Sequence, residues 1–149
     1  MICVSMSRVA KYVTAIVVAD LLVSIVHGLA HRELGVFLTS SGSVFVIVVI
    51  LILPLVAMAL VWTSQKRPGL IILSISMFGS LLFGLYHHFL AAGVDHVHSQ
   101  PANQWGVTFI VTAYLVLITE AIGAYAGIHF LWIDRGTSSK SLLSVKNEK

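Results

Sequence analysis

The sequence predicts an all-α integral membrane protein, a bundle of four helices in a single domain. Of the 149 residues, 58% are hydrophobic and only 10% are charged, and the mean hydropathy of +0.96 exceeds that of ordinary soluble domains. Four apolar runs of about 20 residues are separated by short polar connections. Because lipid offers no hydrogen bonds to the backbone, runs of this length are expected to be helices.

The first run covers residues 12–31. It follows Arg8 and Lys11, and a basic stretch before an apolar one is also typical of a secretory signal. However, this run contains Asp20 and is longer than the apolar core of a signal peptide, which has about 7–15 residues. We therefore expect a retained transmembrane helix.

The remaining runs cover residues 44–62, 70–92 and 106–133. Pro54 lies in the middle of the second run and predicts a kinked helix. The connection before the fourth run contains Pro101 and Asn103, which are typical of a loop. We expect a membrane domain of residues 1–135, followed by a flexible cytoplasmic tail of residues 136–149 that is rich in Ser and Lys.

The basic residues predict the orientation of the four spans. Eight of the nine fall on one side: Arg8, Lys11, Lys66, Arg67, Arg135, Lys140, Lys146 and Lys149. Only Arg32 falls on the other side. Basic residues collect on the cytoplasmic side, so both termini are expected inside a plasma-type membrane. Because these residues lie at the ends of apolar runs and form no patch, the net charge of +3 does not indicate nucleic-acid binding.

The outer side of this topology is rich in metal-binding side chains. It collects six of the seven histidines and two carboxylates: His27, His31, His87, His88, His96, His98, Glu33 and Asp95. The seventh histidine, His129, belongs to the inner side. The sequence therefore places nearly all imidazole groups on one narrow surface.

Spacing along the first helix predicts that two of these histidines face the bundle. Asp20, Ser24, His27 and His31 are separated by 4, 3 and 4 residues. Residues with this spacing form one stripe along a helix. Because the stripe is polar, it is expected to face the other helices and not the lipid.

Small residues on the third and fourth helices predict close helix packing. Ser76, Ser80 and Gly84 repeat every four residues, a pattern that lets membrane helices approach closely, and the same line continues to the two adjacent histidines. Gly123 and Gly127 form a similar pair on the fourth helix, on the face of Glu120. We expect this packing to bring the histidines of the third helix to a helix interface.

The pattern predicts a site for a divalent transition metal on the outer side. Imidazole and carboxylate groups are ligands of zinc, copper and iron. His27 and His31, at positions i and i+4, direct two ring nitrogens toward a common point. The candidates for the remaining ligands are His87, His88, His96, His98, Asp95 and Glu33.

Two resemblances give alternative cofactors. The motifs "HGLAH" and "YHH" resemble histidine pairs of membrane di-iron hydroxylases and desaturases, which implies an iron centre. The sequence departs from that pattern because it has no HxxHH motif and because its histidines face outward. A pairing of His27 or His31 with His87 or His88 is similar to the outer half of a four-helix cytochrome b, which implies haem b between two imidazoles.

Two acids are expected within the membrane, Asp20 in the first helix and Glu120 in the fourth. A charge at such depth costs at least about 2.5–3.5 kcal/mol, so each acid should be protonated, paired or hydrated. They could relay protons or cations, or they could hydrogen-bond between helices and fix the packing.

We expect an accessory or metal-handling subunit of a larger membrane complex, such as a metal-dependent oxidase or monooxygenase, and not an enzyme on its own. Its expected partners are the lipid bilayer and either other membrane subunits or a second copy of the chain. The alternatives are a structural or assembly subunit without a cofactor and an electron carrier with one haem b.

Overall fold

The computed structural model describes the backbone of residues 6–147 and the side chains of residues 8–134. All secondary structure in this part of the chain is helical. The elements are α1 (Met6–Glu33), α2 (Ser40–Phe45), a π-helical segment (Val46–Ile52), α3 (Leu53–Val61), α4 (Lys66–Leu85), a second π-helical segment (Tyr86–Leu90), a 3₁₀ turn (Val97–Ser99) and α5 (Gln104–Asn147).

Four helices within the described residues are long and apolar enough to cross a membrane. These spans are Arg8–Glu33, Ser40–Val61, Lys66–Leu90 and Gln104–Asp134. This confirms the prediction of an all-helical, four-span protein. Each span begins two to four residues before the predicted apolar run, because polar residues ahead of the run are already helical. The cytoplasmic position of both termini stays a prediction.

The second span changes its helix type at Pro54. The π-helical segment Val46–Ile52 precedes α3, and Pro54 lies in the first turn of α3. A proline cannot donate a backbone hydrogen bond and its ring crowds the preceding turn, and a wider π turn accommodates both effects. The bend predicted at this position stays a prediction.

The half of the bundle that holds the start of α1 and the start of α4 has an apolar core. α5 packs against α1 and α4, and α3 packs against α4. The fully buried side chains at the centre of this core include Val13, Val17, Leu70, Leu73 and Met77. This core holds the helices together below the level of Asp20 and Glu120.

Glycines let α5 approach α4 closely, as the sequence predicts. A Cβ atom on Gly123 would lie 2.8 Å from Met77 Cγ, and one on Gly127 would overlap Ser74 Oγ. The small-residue face of the fourth span therefore packs against α4 of the same chain.

One prediction concerns residues that are only partly described. α5 continues to Asn147, into the predicted tail, whose flexibility stays a prediction. The side chains after Asp134 and the single cysteine, Cys3, lie outside the described residues.

Candidate metal centre

Three predicted ligands, His27, His31 and His88, meet where the first and third spans face the fourth. His27 and His31 lie one turn apart near the end of α1, and His88 lies in the π-helical segment Tyr86–Leu90. Their ligating atoms lie within 4.8 Å of one another, and they form the group of potential metal ligands found among the described residues. We call these three residues the histidine cluster.

The Nε2 atoms of His31 and His88 both point at that of His27. His27 Nε2 lies 3.1 Å from His88 Nε2 and 3.1 Å from His31 Nε2. His27 is therefore the central member, and it is only 8% exposed.

The Nδ1 atoms of His31 and His88 point away from the cluster, toward backbone carbonyls. His31 Nδ1 lies 3.2 Å from the carbonyl oxygen of Val36, and His88 Nδ1 lies 3.1 Å from that of Asp95. A carbonyl can only accept a hydrogen bond, so each Nδ1 must carry the proton. In the neutral ring the Nε2 lone pair is then free and faces the centre.

Thr112 determines which ring nitrogen of His27 carries the proton, as the carbonyls do for the other two histidines. Its Oγ1 donates a hydrogen bond to the Thr108 carbonyl, at 2.7 Å, and lies 2.9 Å from His27 Nδ1. Because the hydroxyl proton is already used, Oγ1 accepts from His27 Nδ1. All three rings therefore present an Nε2 lone pair to the same point, the arrangement that outer hydrogen bonds impose on metal-ligating histidines.

The distances between these nitrogen atoms fit a bound metal ion. With metal–nitrogen distances of about 2.0–2.1 Å, two ligands of a tetrahedral site lie about 3.3 Å apart. The lone pairs of His31 Nε2 and His88 Nε2, each 3.1 Å from His27 Nε2, repel the lone pair of His27 unless a cation lies between them. A proton can bridge only two of the nitrogen atoms, whereas a metal ion accepts all three. Three imidazoles with a further open position are typical of zinc and related ions.

The carboxylate of Asp95 lies at the edge of the cluster. Its Oδ1 is 3.5 Å from His31 Nε2 and 3.3 Å from His88 Nδ1. Both carboxylate oxygens are buried without a hydrogen bond of normal geometry. Burial by itself raises the pKa of Asp95, but contact with His88 and the charges of the neighbouring histidines outweigh it, so the pKa lies below its ordinary value. This negative charge favours a cation at the centre.

Phe109 forms an apolar wall beside all three imidazoles. It is fully buried, and its ring centroid lies 4.8 Å from those of His27 and His31 and 5.3 Å from that of His88. Neither Phe109 nor the contact of Thr112 with His27 is among the residues predicted from the sequence. Phe109, Thr112, Val116 and Glu120 are separated by 3, 4 and 4 residues, so they lie on one face of α5. This spacing is the sequence signal that could have identified them.

His87 lies beside the cluster but is not a member of it. Its Nδ1 is 4.0 Å from Asp95 Oδ2, and its ring packs on Phe83 with centroids 4.3 Å apart. It therefore lies next to Asp95 and does not belong to the group of nitrogen atoms that meet at His27.

The other predicted ligands lie apart from the cluster. His96 Nε2 donates to the Phe89 carbonyl at 3.2 Å, and its Nδ1 accepts from the His98 backbone at 3.2 Å, so both ring nitrogens are used within the loop. His98 and Glu33 are exposed. The structure thus selects three of the predicted histidines, with Asp95 next to them.

The two intramembrane acids have different surroundings. Thr119 Oγ1 donates a 2.6 Å hydrogen bond to Asp20 Oδ1, which ties the fourth span to the first. Glu120 is 0% exposed, and neither of its carboxylate oxygens has a hydrogen-bond partner.

The cluster does not fit a haem between two imidazoles. The axial imidazoles of such a haem lie on opposite faces of the porphyrin ring. His27 Nε2 and His88 Nε2 are 3.1 Å apart, and Phe109 fills the space beside them, so no ring fits between them.

Comparisons with protein families, curated proteins and solved structures find no match to this chain.

Proposed function

We propose that this chain is a small membrane protein that holds one divalent transition metal ion in the histidine cluster and acts as an accessory or metal-handling subunit. The observation that carries the proposal is the convergence of three Nε2 lone pairs whose Nδ1 atoms all donate to other groups. Zinc, copper and iron all accept this set of ligands.

A larger membrane complex, such as a metal-dependent oxidase or monooxygenase, is part of the proposal. The glycine face of α5 is already covered by α4. A partner helix, from another subunit or a second copy of the chain, would instead contact the second span, of which only 17% is buried within the chain. Its exposed apolar residues include Val44, Ile47 and Val48.

Metal analysis of the purified protein tests the proposal. Protein from cells grown with added zinc, copper and iron should retain about one ion per chain after gel filtration. Changing His27, His31 or His88 to Ala should remove most of this metal, because each change leaves only two imidazoles. His98→Ala and His129→Ala are matched controls, since both histidines are exposed, and they should retain it.

A helical, folded wild-type protein without bound metal would contradict the proposal. That outcome would favour the alternative of a structural or assembly subunit without a cofactor. Circular dichroism of each variant separates loss of metal from loss of folding.

A further inference from the structure

Two cavities meet at Asp95. One, of about 380 Å³, is lined by all three histidines of the cluster, and we call it the cluster cavity. The other, of about 530 Å³, is lined by His87 and by Phe37, Leu38 and Thr39, which connect α1 to α2, and we call it the surface cavity. Asp95 lines both cavities. Its carboxylate therefore lies between the histidine cluster and the neighbouring cavity.

The surface cavity opens to solvent at the end of the bundle where the cluster lies. Its lining includes Thr39 and Ser41, and both residues are exposed. The side chain of His87 is 34% exposed, against 16% for His31 and 9% for His88. An ion in solution therefore reaches His87 before it reaches a histidine of the cluster.

The two carboxylate oxygens of Asp95 face different histidines. Oδ2 lies 4.0 Å from His87 Nδ1, whereas Oδ1 lies 3.5 Å from His31 Nε2, one of the nitrogen atoms of the cluster. Neither oxygen has a hydrogen bond of normal geometry. An ion that leaves His87 can therefore stay bound to this carboxylate while it moves toward His31.

His87 and Asp95 can hold a metal ion together, but only weakly. Zinc lies about 2.0–2.2 Å from imidazole nitrogen and carboxylate oxygen atoms. The 4.0 Å between His87 Nδ1 and Asp95 Oδ2 is less than the sum of two such distances, so one ion can contact both atoms. Because two protein ligands are fewer than the three or four of a stable zinc site, water completes the coordination. Such a site captures an ion without retaining it.

The walls of the cluster cavity offer a poorer route for a cation. The second span contributes apolar side chains to them, those of Val46, Ile50 and Leu51. An ion that entered between these side chains would lose water without gaining a ligand, which is costly. The exposed residue Arg32 also lines this cavity, and its positive charge repels a metal ion. Among the described residues, no Arg or Lys lines the surface cavity.

We propose that His87 and Asp95 form a transient loading site, through which a divalent transition metal ion enters and leaves the histidine cluster. The inference rests on the proposed metal function. It goes further by assigning the route of the ion and by giving a role in metal exchange to His87, which is not a ligand of the bound ion.

The rates of metal exchange test this inference. Co²⁺ is added to the metal-free full chain in lipid nanodiscs, and its ligand-field absorption is followed by stopped flow. Release is followed in enough EDTA that the rate no longer depends on the EDTA concentration. His87→Phe keeps an aromatic ring against Phe83 but removes the ligand. We expect the association and dissociation rate constants both to fall about tenfold, because a site on the route lowers the barrier in both directions equally. Their ratio, the dissociation constant, should change by less than about twofold.

Two further variants identify the cause of slow exchange. His87→Ala removes the ligand but widens the surface cavity, so slow exchange in this variant as well assigns the effect to the lost ligand and not to obstruction by Phe. His98→Phe is the matched control, because His98 is an exposed histidine that lines neither cavity. Its two rate constants should equal those of the wild type. Circular dichroism and gel filtration of each variant check the fold.

The same measurements separate the two proposals. Wild-type protein that binds no Co²⁺ would overturn the metal function and this inference with it. Wild-type protein that binds Co²⁺, together with unchanged rates in His87→Phe, would overturn this inference alone. Faster dissociation with unchanged association would also overturn it, since His87 would then be a ligand of the bound ion. Exchange in His87→Ala at the wild-type rate or faster would do the same.

Discussion

The tautomer of His27 depends on one hydroxyl group, that of Thr112. Backbone carbonyl oxygens, those of Val36 and Asp95, orient the imidazoles of His31 and His88, and no side-chain substitution removes them. The acceptor for His27 Nδ1 is instead a side chain. Without it, either nitrogen of the central imidazole could carry the proton, and a proton on Nε2 would block the metal. Thr112 is therefore the most sensitive group outside the ligands themselves.

Thr112→Val should lower the metal affinity by about 10- to 100-fold, the usual effect of removing a hydrogen bond to a ligating histidine. Competition with a chromophoric chelator measures this change. Thr108→Val is a matched control, because Thr108 Oγ1 also bonds to a carbonyl four residues earlier, that of Gln104, and the Thr108 carbonyl that accepts from Thr112 belongs to the backbone and is kept in this variant. Equal affinities of the two variants would show that Thr112 does not orient His27.

The sequence predicts both ligands on the first helix, but on the third helix it does not distinguish His88 from His87. His27 and His31 are one helical turn apart, so a regular helix fixes their common direction. His87 and His88 are adjacent, and they precede the end of a helix that changes to i→i+5 hydrogen bonding, with Ala91 N bonded to the Tyr86 carbonyl at 2.7 Å. Spacing rules for a regular α-helix do not apply to such a turn.

The positions of the candidate ligands in the loop before α5 could not be predicted from the sequence, for a different reason. His96 bonds to the Phe89 carbonyl and to the His98 backbone, and such local contacts depend on the loop conformation and not on periodicity. Composition indicates that imidazoles and carboxylates gather on this side of the molecule. Composition does not indicate which of these groups form hydrogen bonds within the loop, as His96 does, and which lie next to the cluster, as Asp95 does.

The contact between α4 and α5 holds the third and fourth spans in register, and it depends on Gly127. An added Cβ atom there would overlap Ser74 Oγ and lie 3.2 Å from the Leu70 carbonyl oxygen. Because backbone atoms of α4 are involved, a side-chain rotation cannot fully relieve the overlap. The helices would have to separate, and His88 would move with α4.

Gly127→Ala should therefore destabilise the protein by about 1–3 kcal/mol, the usual cost of overpacking. Unfolding in mixed micelles, followed by circular dichroism, measures the change. Gly28→Ala is the matched control, since a Cβ atom on Gly28 has no neighbour within 4 Å, and there the better helix propensity of alanine should stabilise by up to about 1 kcal/mol. Destabilisation of both variants to the same extent would contradict this account of the α4–α5 contact.

The four spans were predictable because length and hydropathy alone identify a helix that crosses the bilayer. The positions of the spans relative to one another follow from close contacts at single residues, such as Gly127 and Ser74. A small-residue pattern indicates that a helix has a close neighbour, but it does not identify the neighbour. Gly123 and Gly127 could have faced a second protein, and in the structure they face α4.

The distribution of basic residues predicts that the histidine cluster lies on the non-cytoplasmic side, and labelling of single cysteines tests this orientation. In a Cys3→Ser background, Ser99→Cys lies in the exposed loop before α5 and Ser64→Cys lies in the exposed loop before α4. A membrane-impermeant maleimide added to intact cells should label Ser99→Cys about tenfold more than Ser64→Cys, because basic residues keep the second loop inside. After the cells are permeabilised, both positions should label equally, which controls for reactivity. The reverse pattern would place the cluster on the cytoplasmic side and would contradict the predicted orientation.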